Sequence, residues 1–286
     1  MSHPAKASAA DVETIETALS KRFGESFSVD PTVSGLDGLA RLANHRTIRR
    51  YAPRTVDRDL IDLLCACAFS APTKSDLQQR DILVVGEPST RGRIADLIPD
   101  MPWIREAPMF LIFLANGRRL PYVAEQRGKP FPNDHLDLFF NATVDAALAL
   151  ATFTIAAETV GLGCCPISVI RDHAAKISDL LALPARVIPI AGLCVGWPAD
   201  AGYISPRLPL AVTLHEDRFD DRDLAAHLDR YDRRRAAAHP YRNQRDVARW
   251  GTAERYGWSE DKARQYAEPQ RADFGAFVRH QGFRLD

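Results

Sequence analysis

Residues 133–160 read NDHLDLFFNATVDAALALATFTIAAETV, and the fold turns on this stretch. Asn133 or Asp134 can cap a helix here, and Gly161 can stop it. Its 28 residues would then span about 40 Å. Between Leu136 and Ala157 the segment is apolar nearly all round, and such a helix has to be buried on every side. One domain seldom surrounds a helix of that length alone. The expectation is therefore a long buried helix along a subunit interface.

Working outward, continuous apolar runs predict strands over 81–86, 109–115, 164–169 and 187–195. Helices are expected over 59–69, 88–97 and 172–181. A further helix should run from Ser34 as cap through Ala43, and a short one carries Val12, Ile15, Leu19 and Phe23. Strands and helices intermix without a regular βαβ alternation, so the fold class is α+β. The expected organisation is a helical arm over 1–35 and one domain over 36–286, with an Arg-rich helical extension from about residue 220.

The 286 residues carry 37 basic and 37 acidic side chains, so the formal charge is zero. That balance gives no reason to expect a nucleic-acid or membrane partner. The first residues lack the apolar run of a signal peptide, and the longest charge-free run in the main helix, Ala146–Ala157, is too short for a bilayer. The five cysteines (Cys65, Cys67, Cys164, Cys165 and Cys194) form no CxxC pair and read as reduced thiols of a cytoplasmic protein. No metal site is expected. His215-Glu216 lacks a ligand partner, and there is no GxSxG elbow or P-loop. Gly161-Leu162-Gly163 lacks the third glycine of a dinucleotide fingerprint and lies between a helix and a strand, the reverse of the required order; these glycines read as a left-handed helix cap.

Chemistry concentrates elsewhere. His45-Arg46-Thr47-Ile48-Arg49 places three potential cations and a hydroxyl within five residues, a set that suits a phosphate because the guanidinium fork meets two oxygens at once. By itself the segment is an ordinary basic stretch after a helix end. Three further landmarks follow it in order: Ser70-Ala71-Pro72-Thr73-Lys74-Ser75-Asp76-Leu77-Gln78; Ala156 to Gly163 with Pro166-Ile167; and Gly192 to Asp200 with Pro206-Arg207-Leu208-Pro209. Together they resemble the FMN-dependent nitroreductase family, in particular its larger, NADPH-preferring nitroreductase and flavin-reductase branch. The resemblance runs from about residue 36 to the C-terminus.

That resemblance implies a central mixed sheet flanked by helices, and a homodimer with two FMN sites at its interface. His45, Arg46 and Thr47 would hold the phosphate and ribityl chain, Arg207 would close the phosphate site, and Arg49 would reach the pyrimidine edge of the ring. Ser205 stands where relatives usually have a Lys, which removes a cation. Thr73, Lys74, Ser75 and Gln78 would touch the flavin ring from the other subunit. Pro166, Ile167 and Ser168 would pass its reactive edge, with the Ser168 backbone near N5; Val169 adds bulk where relatives often have glycine. Arg242, Arg245, Arg264 and Arg271 are candidates for the 2′-phosphate of NADPH. The implied activity is NAD(P)H oxidation followed by two-electron transfer to a small oxidant (a nitroaromatic, a quinone or free flavin) in ping-pong fashion, with the cofactor carrying the chemistry and no side-chain acid or base required. Two other readings stay open: a reductive dehalogenase-type enzyme, and a non-catalytic FMN-binding or sensing dimer.

Overall fold

A computed structural model describes residues 9–286. In chain order the elements are α1 (Ala9–Phe23), α2 (Leu36–Ala43), α3 (Arg58–Phe69), β1 (Arg80–Val84), α4 (Pro88–Leu97), α5 (Trp103–Glu106), β2 (Met109–Asn116) and α6 (Arg119–Gln126). There follow α7 (Leu136–Thr159), β3 (Gly163–Ile167), α8 (Ala174–Leu180), β4 (Val187–Gly196), α9 (Leu210–Thr213), α10 (Leu224–Ala238), α11 (Val247–Trp250), α12 (Trp258–Tyr266) and α13 (Phe274–His280). The chain divides into two compact units, Met1–His45 with Tyr203–Gln270, and Arg46–Gly202 with Arg271–Asp286.

The second unit is built on a sheet of order β1-β2-β4-β3, antiparallel at every strand pair. The mixed character expected from the sequence is confined to one parallel bridge, Thr47 to Cys164, at the β3 edge. β2 and β4 are central and buried on both faces, as their unbroken apolar runs require. The strand period of two sends Phe110, Ile112 and Cys194 to one face, against Ile94, Ile104 and Ile177. Leu111, Phe113, Leu193 and Val195 go to the other, against Ile61 and Leu64 of α3 and Phe153 of α7. Phe113 and Phe153 meet edge to face at 5.9 Å. Val278 and Phe283 pack with Ala142 and Ala146 of α7 and Ile188 of β4.

α7 starts later than expected. Its cap is His135, whose ring nitrogen accepts from the Asp137 N–H at 3.3 Å, rather than Asn133 or Asp134. It ends as expected at Gly161, which adopts φ +86° while Leu162 N–H donates back to the Ala157 carbonyl at 3.0 Å. Gly163 has a different role from the expected cap. It lies in β3, where an added Cβ would sit 2.6 Å from Ile48. α7 is long and apolar enough to cross a membrane by length and composition. Ala142, Ala146, Ala149, Phe153 and Ala157 are buried within the unit, whereas Leu136, Phe140, Val144, Leu148 and Ile155 stay exposed. The spacing of four puts 136, 140, 144 and 148 on one face, so the chain alone covers only one side of this helix.

In the first unit, Ile15 and Ala18 of α1 pack on Leu36, Ala40 and Ala43 of α2. The N-cap of α2 is Gly35 at φ +79°, not the expected Ser34. α10 and α12 are joined by Asp232, which accepts from the Ser259 N–H at 3.0 Å, and by an edge-to-face contact of Tyr231 with Trp258.

Candidate functional site

The basic segment crosses from one unit to the other, since His45 closes the first and Arg46 opens the second. Within the second unit, the 46–49 stretch lies along β3. Ile48 N–H donates to the Cys164 carbonyl at 2.9 Å, and the buried Ile48 side chain covers Gly163. This alternation turns Ile48 inward. Arg46 Nη1 donates to the Ala201 carbonyl at 2.9 Å, and the Arg49 guanidinium lies 5.6 Å above the Trp103 ring. The strand they border continues to Pro166, which is exposed, Ile167, which is buried, and Ser168, which is exposed. Val169 is half-buried against the core cluster of Phe110 and Ile170, so part of its bulk is absorbed by packing.

The loop at 73–79 has an organiser that sequence reasoning missed. Asp145, 1% exposed on α7, accepts from the Thr73 hydroxyl, from Lys74 N–H at 3.3 Å and from Gln79 N–H at 2.9 Å. It also faces the buried Arg80 guanidinium at 3.6 Å. Arg80 in turn donates to the Phe69 and Ala71 carbonyls, at 2.7 and 3.2 Å, just past α3. Held this way, Ser75, Asp76 and Gln78 occupy the left-handed region at φ 47°, 57° and 53°. Non-glycine residues remain there only when their surroundings over-determine them, and such strain gathers at ligand sites. A signal was available: a carboxylate in the apolar middle of a helix needs a buried partner.

In the first unit, His45, Ser205 and Arg207 are drawn together by Arg22, a second residue not singled out from the sequence. Its guanidinium donates to the His45 carbonyl at 2.7 Å, to Ala43 at 3.0 Å and to Ser205 at 3.2 Å. A cavity of 680 Å³ opens beside Ser205 and Arg207, with Arg235, Tyr241, Arg245 and Trp258 also on its walls. Cations beside aromatic rings suit an anion that carries a planar group.

The four NADPH candidates are used unequally. Arg242 is exposed, and Arg245 lines the cavity with its Nε 2.9 Å from the Asp261 carboxylate. Arg264 is buried; it pairs with Glu260 and donates to the Arg245 and Gly251 carbonyls, so it holds the loop that precedes α12. Arg271 belongs to the other unit, where it pairs with Asp172 at 2.5 Å.

The cysteines are free. Burial pushes the Cys164 and Cys194 thiols well up and the Cys165 thiol up, opposed at Cys165 by the Arg49 charge. Protonated thiols under a sheet are poor nucleophiles and poor ligands.

The four-stranded sheet with α3 and α7 on one face makes an α+β fold that solved structures share. The B. megaterium protein NfrA2 superposes with a TM-score of 0.79 at 30% identity, over 87% of this chain and 99% of that one. The nitroreductase family profile matches residues 42–197, and the profile "Nitroreductase family, C-terminal domain" matches 205–286. The chain belongs to the nitroreductase family. Among curated relatives, a Bacillus subtilis protein named FMN reductase [NAD(P)H] is 32% identical over 247 residues, covering 86% of this chain and 97% of that one. A Salmonella typhimurium protein named oxygen-insensitive NADPH nitroreductase is 30% identical over 185 residues, covering 64% and 74%.

Proposed function

We propose that this chain is an FMN-dependent NAD(P)H oxidoreductase that passes two electrons in ping-pong fashion to a small oxidant such as a nitroaromatic, a quinone or free flavin. The observation that carries the reading is the basic 46–49 segment bridged to β3, which leads directly into Ser168. It is joined by family membership and by the relatives named as FMN reductases. The residues fit the cofactor by donor type. His45, Ser205 and Arg207 of the first unit suit a phosphate of charge near −2, as do Arg46 and Thr47 of the second, where Thr73, Lys74, Ser75, Gln78 and Arg49 suit the polar ring edge. FMN, when bound, accepts a hydride and returns electrons to the oxidant. The chain's own part is to bind the phosphate, hold the ring edge with loop amides and the 166–168 backbone, and favour negative charge near Arg49. For the nicotinamide donor we assign Arg242 and Arg245, both exposed, to the 2′-phosphate, with Arg245 steadied by Asp261; Arg264 is buried and Arg271 pairs with Asp172.

The reading extends to a homodimer that covers the open face of α7, in an otherwise independent small-molecule enzyme of the cytoplasm, where its free thiols stay reduced. We treat 36–286 as one functional domain and 1–35 as an appended arm. Phe140, 60% exposed, is the largest apolar side chain on that face. Phe140→Asp would bury an unpaired charge in the dimer, and the expected outcome is monomer by sedimentation velocity at micromolar concentration. An unchanged dimer would remove α7 from the interface.

The oxidoreductase reading is tested on the purified protein. A yellow spectrum that bleaches on anaerobic addition of NADPH or NADH is expected. Protein that neither carries nor takes up FMN would sink it. Protein that binds FMN yet is bleached by neither nicotinamide would be a flavin-binding module.

A further inference from the structure

The family profile begins at residue 42, so α1 lies outside the part of the chain it matches. Yet the last turn of α1 carries Arg22, a buried arginine with three carbonyl partners. Arg22, 7% exposed, reaches the last carbonyl of α2, at Ala43, the His45 carbonyl two residues beyond it, and the Ser205 carbonyl. Its main chain completes the knot: the Arg22 carbonyl accepts from Arg207 N–H at 2.7 Å and from Arg234 Nη1 at 3.0 Å. Arg234 also donates to the Arg207 carbonyl, and it can approach because residue 24 is glycine, where an added Cβ would overlap its side chain at 2.4 Å. Carbonyls at a helix C-terminus lack intrahelical partners and sit at the negative end of the dipole, so a guanidinium is a favourable cap there.

We propose that α1 is a built-in part of the flavin-phosphate site, with Arg22 as a positioning residue that sets His45 against the Ser205–Arg207 segment and supplies fixed positive charge behind Ser205, the position where relatives usually place a Lys. The proposal rests on the assignment of His45 and Arg207 to the phosphate. Arg22 works through its neighbours: three carbonyls occupy its guanidinium, and its charge is held within the unit, where water screens it less than at the surface.

The test compares FMN with riboflavin, which lacks the phosphate, in fluorescence titrations of the full-length flavin-free protein. In Arg22→Ala the preference for FMN over riboflavin should fall by about tenfold, the effect of one lost charge-assisted interaction. Arg22→Lys keeps the charge but cannot hold three carbonyls, so its preference should fall by roughly threefold. Adding Ser205→Lys to Arg22→Ala should restore most of the preference. Arg207→Ala is the control for the underlying site. A wild-type preference in Arg22→Ala, with loss in Arg207→Ala, would leave α1 a stability element and overturn the proposal. A wild-type preference in Arg207→Ala as well would locate the failure in the phosphate site itself. Should Arg22→Ala not fold by circular dichroism, Arg22→Lys decides, and a wild-type preference there is equally fatal.

Discussion

Asp145→Ala lowers the melting temperature by roughly 10 °C, the largest stability effect expected of any single side chain in the second unit. The estimate follows from what the carboxylate leaves behind. Arg80, with its side chain 3% exposed, keeps the Phe69 and Ala71 carbonyls but loses the Asp145 carboxylate at 3.6 Å. Removing one partner of a buried pair costs about 3–5 kcal/mol, since the other charge stays desolvated. In a domain of this size each kcal/mol moves the melting point by about 2–4 °C. The same substitution releases Thr73, Lys74 and Gln79, the three residues that hold the 73–79 loop in its left-handed conformation. Replacing both partners, Asp145→Leu with Arg80→Met, should recover much of the stability without recovering the loop, because apolar groups can fill the site but accept no amide. The double variant would then melt near the wild-type temperature and still bind flavin less well. A drop under about 2 °C in Asp145→Ala, measured by calorimetry, would show that the pair is not what holds this face together.

The contrast between Asp145 and the rest of the fold explains what the sequence could tell. All four strands were legible within a residue or two, because β2 and β4 are covered on both faces and read as unbroken apolar runs. α4 was legible at both ends, since Pro88 marks its first turn. Cap identity was not: Gly35 and His135 displace the better formers Ser34 and Asn133, because the path of the chain into each helix is set by tertiary packing. The candidate site is proposed from the sequence where its residue types are unusual, as at 45–49. It was not legible where a common residue acts through distant backbone. Arg22 follows Lys21 at the end of a helix and looks like any solvated basic turn, and nothing local announces that its partners are 21, 23 and 183 residues away. Composition reports that the open face of α7 is apolar, but not which chain covers it.

Arg46→Ala should release flavin, and it tests the 45–49 segment more sharply than any other change. Arg46 is anchored to the Ala201 carbonyl at 2.9 Å, so its guanidinium is already oriented and loses little freedom on meeting a phosphate. A charge-assisted hydrogen bond of this kind contributes about 1.5–3 kcal/mol, which corresponds to roughly 10- to 100-fold in affinity. Two controls separate phosphate binding from a local fold effect. Riboflavin affinity should change little, since it has no phosphate for Arg46 to meet. Raising the salt concentration should weaken FMN binding in the wild type more than in Arg46→Ala, because the variant has one charge fewer to screen. The Ala201–Gly202 turn, with Gly202 at φ +58° and stacked near Ile48 and Arg46, should survive the substitution and keep the melting temperature within a few degrees. An Arg46→Ala protein that keeps full flavin through gel filtration, with wild-type salt dependence, would take Arg46 out of the phosphate site and leave the β3 edge as a structural seam.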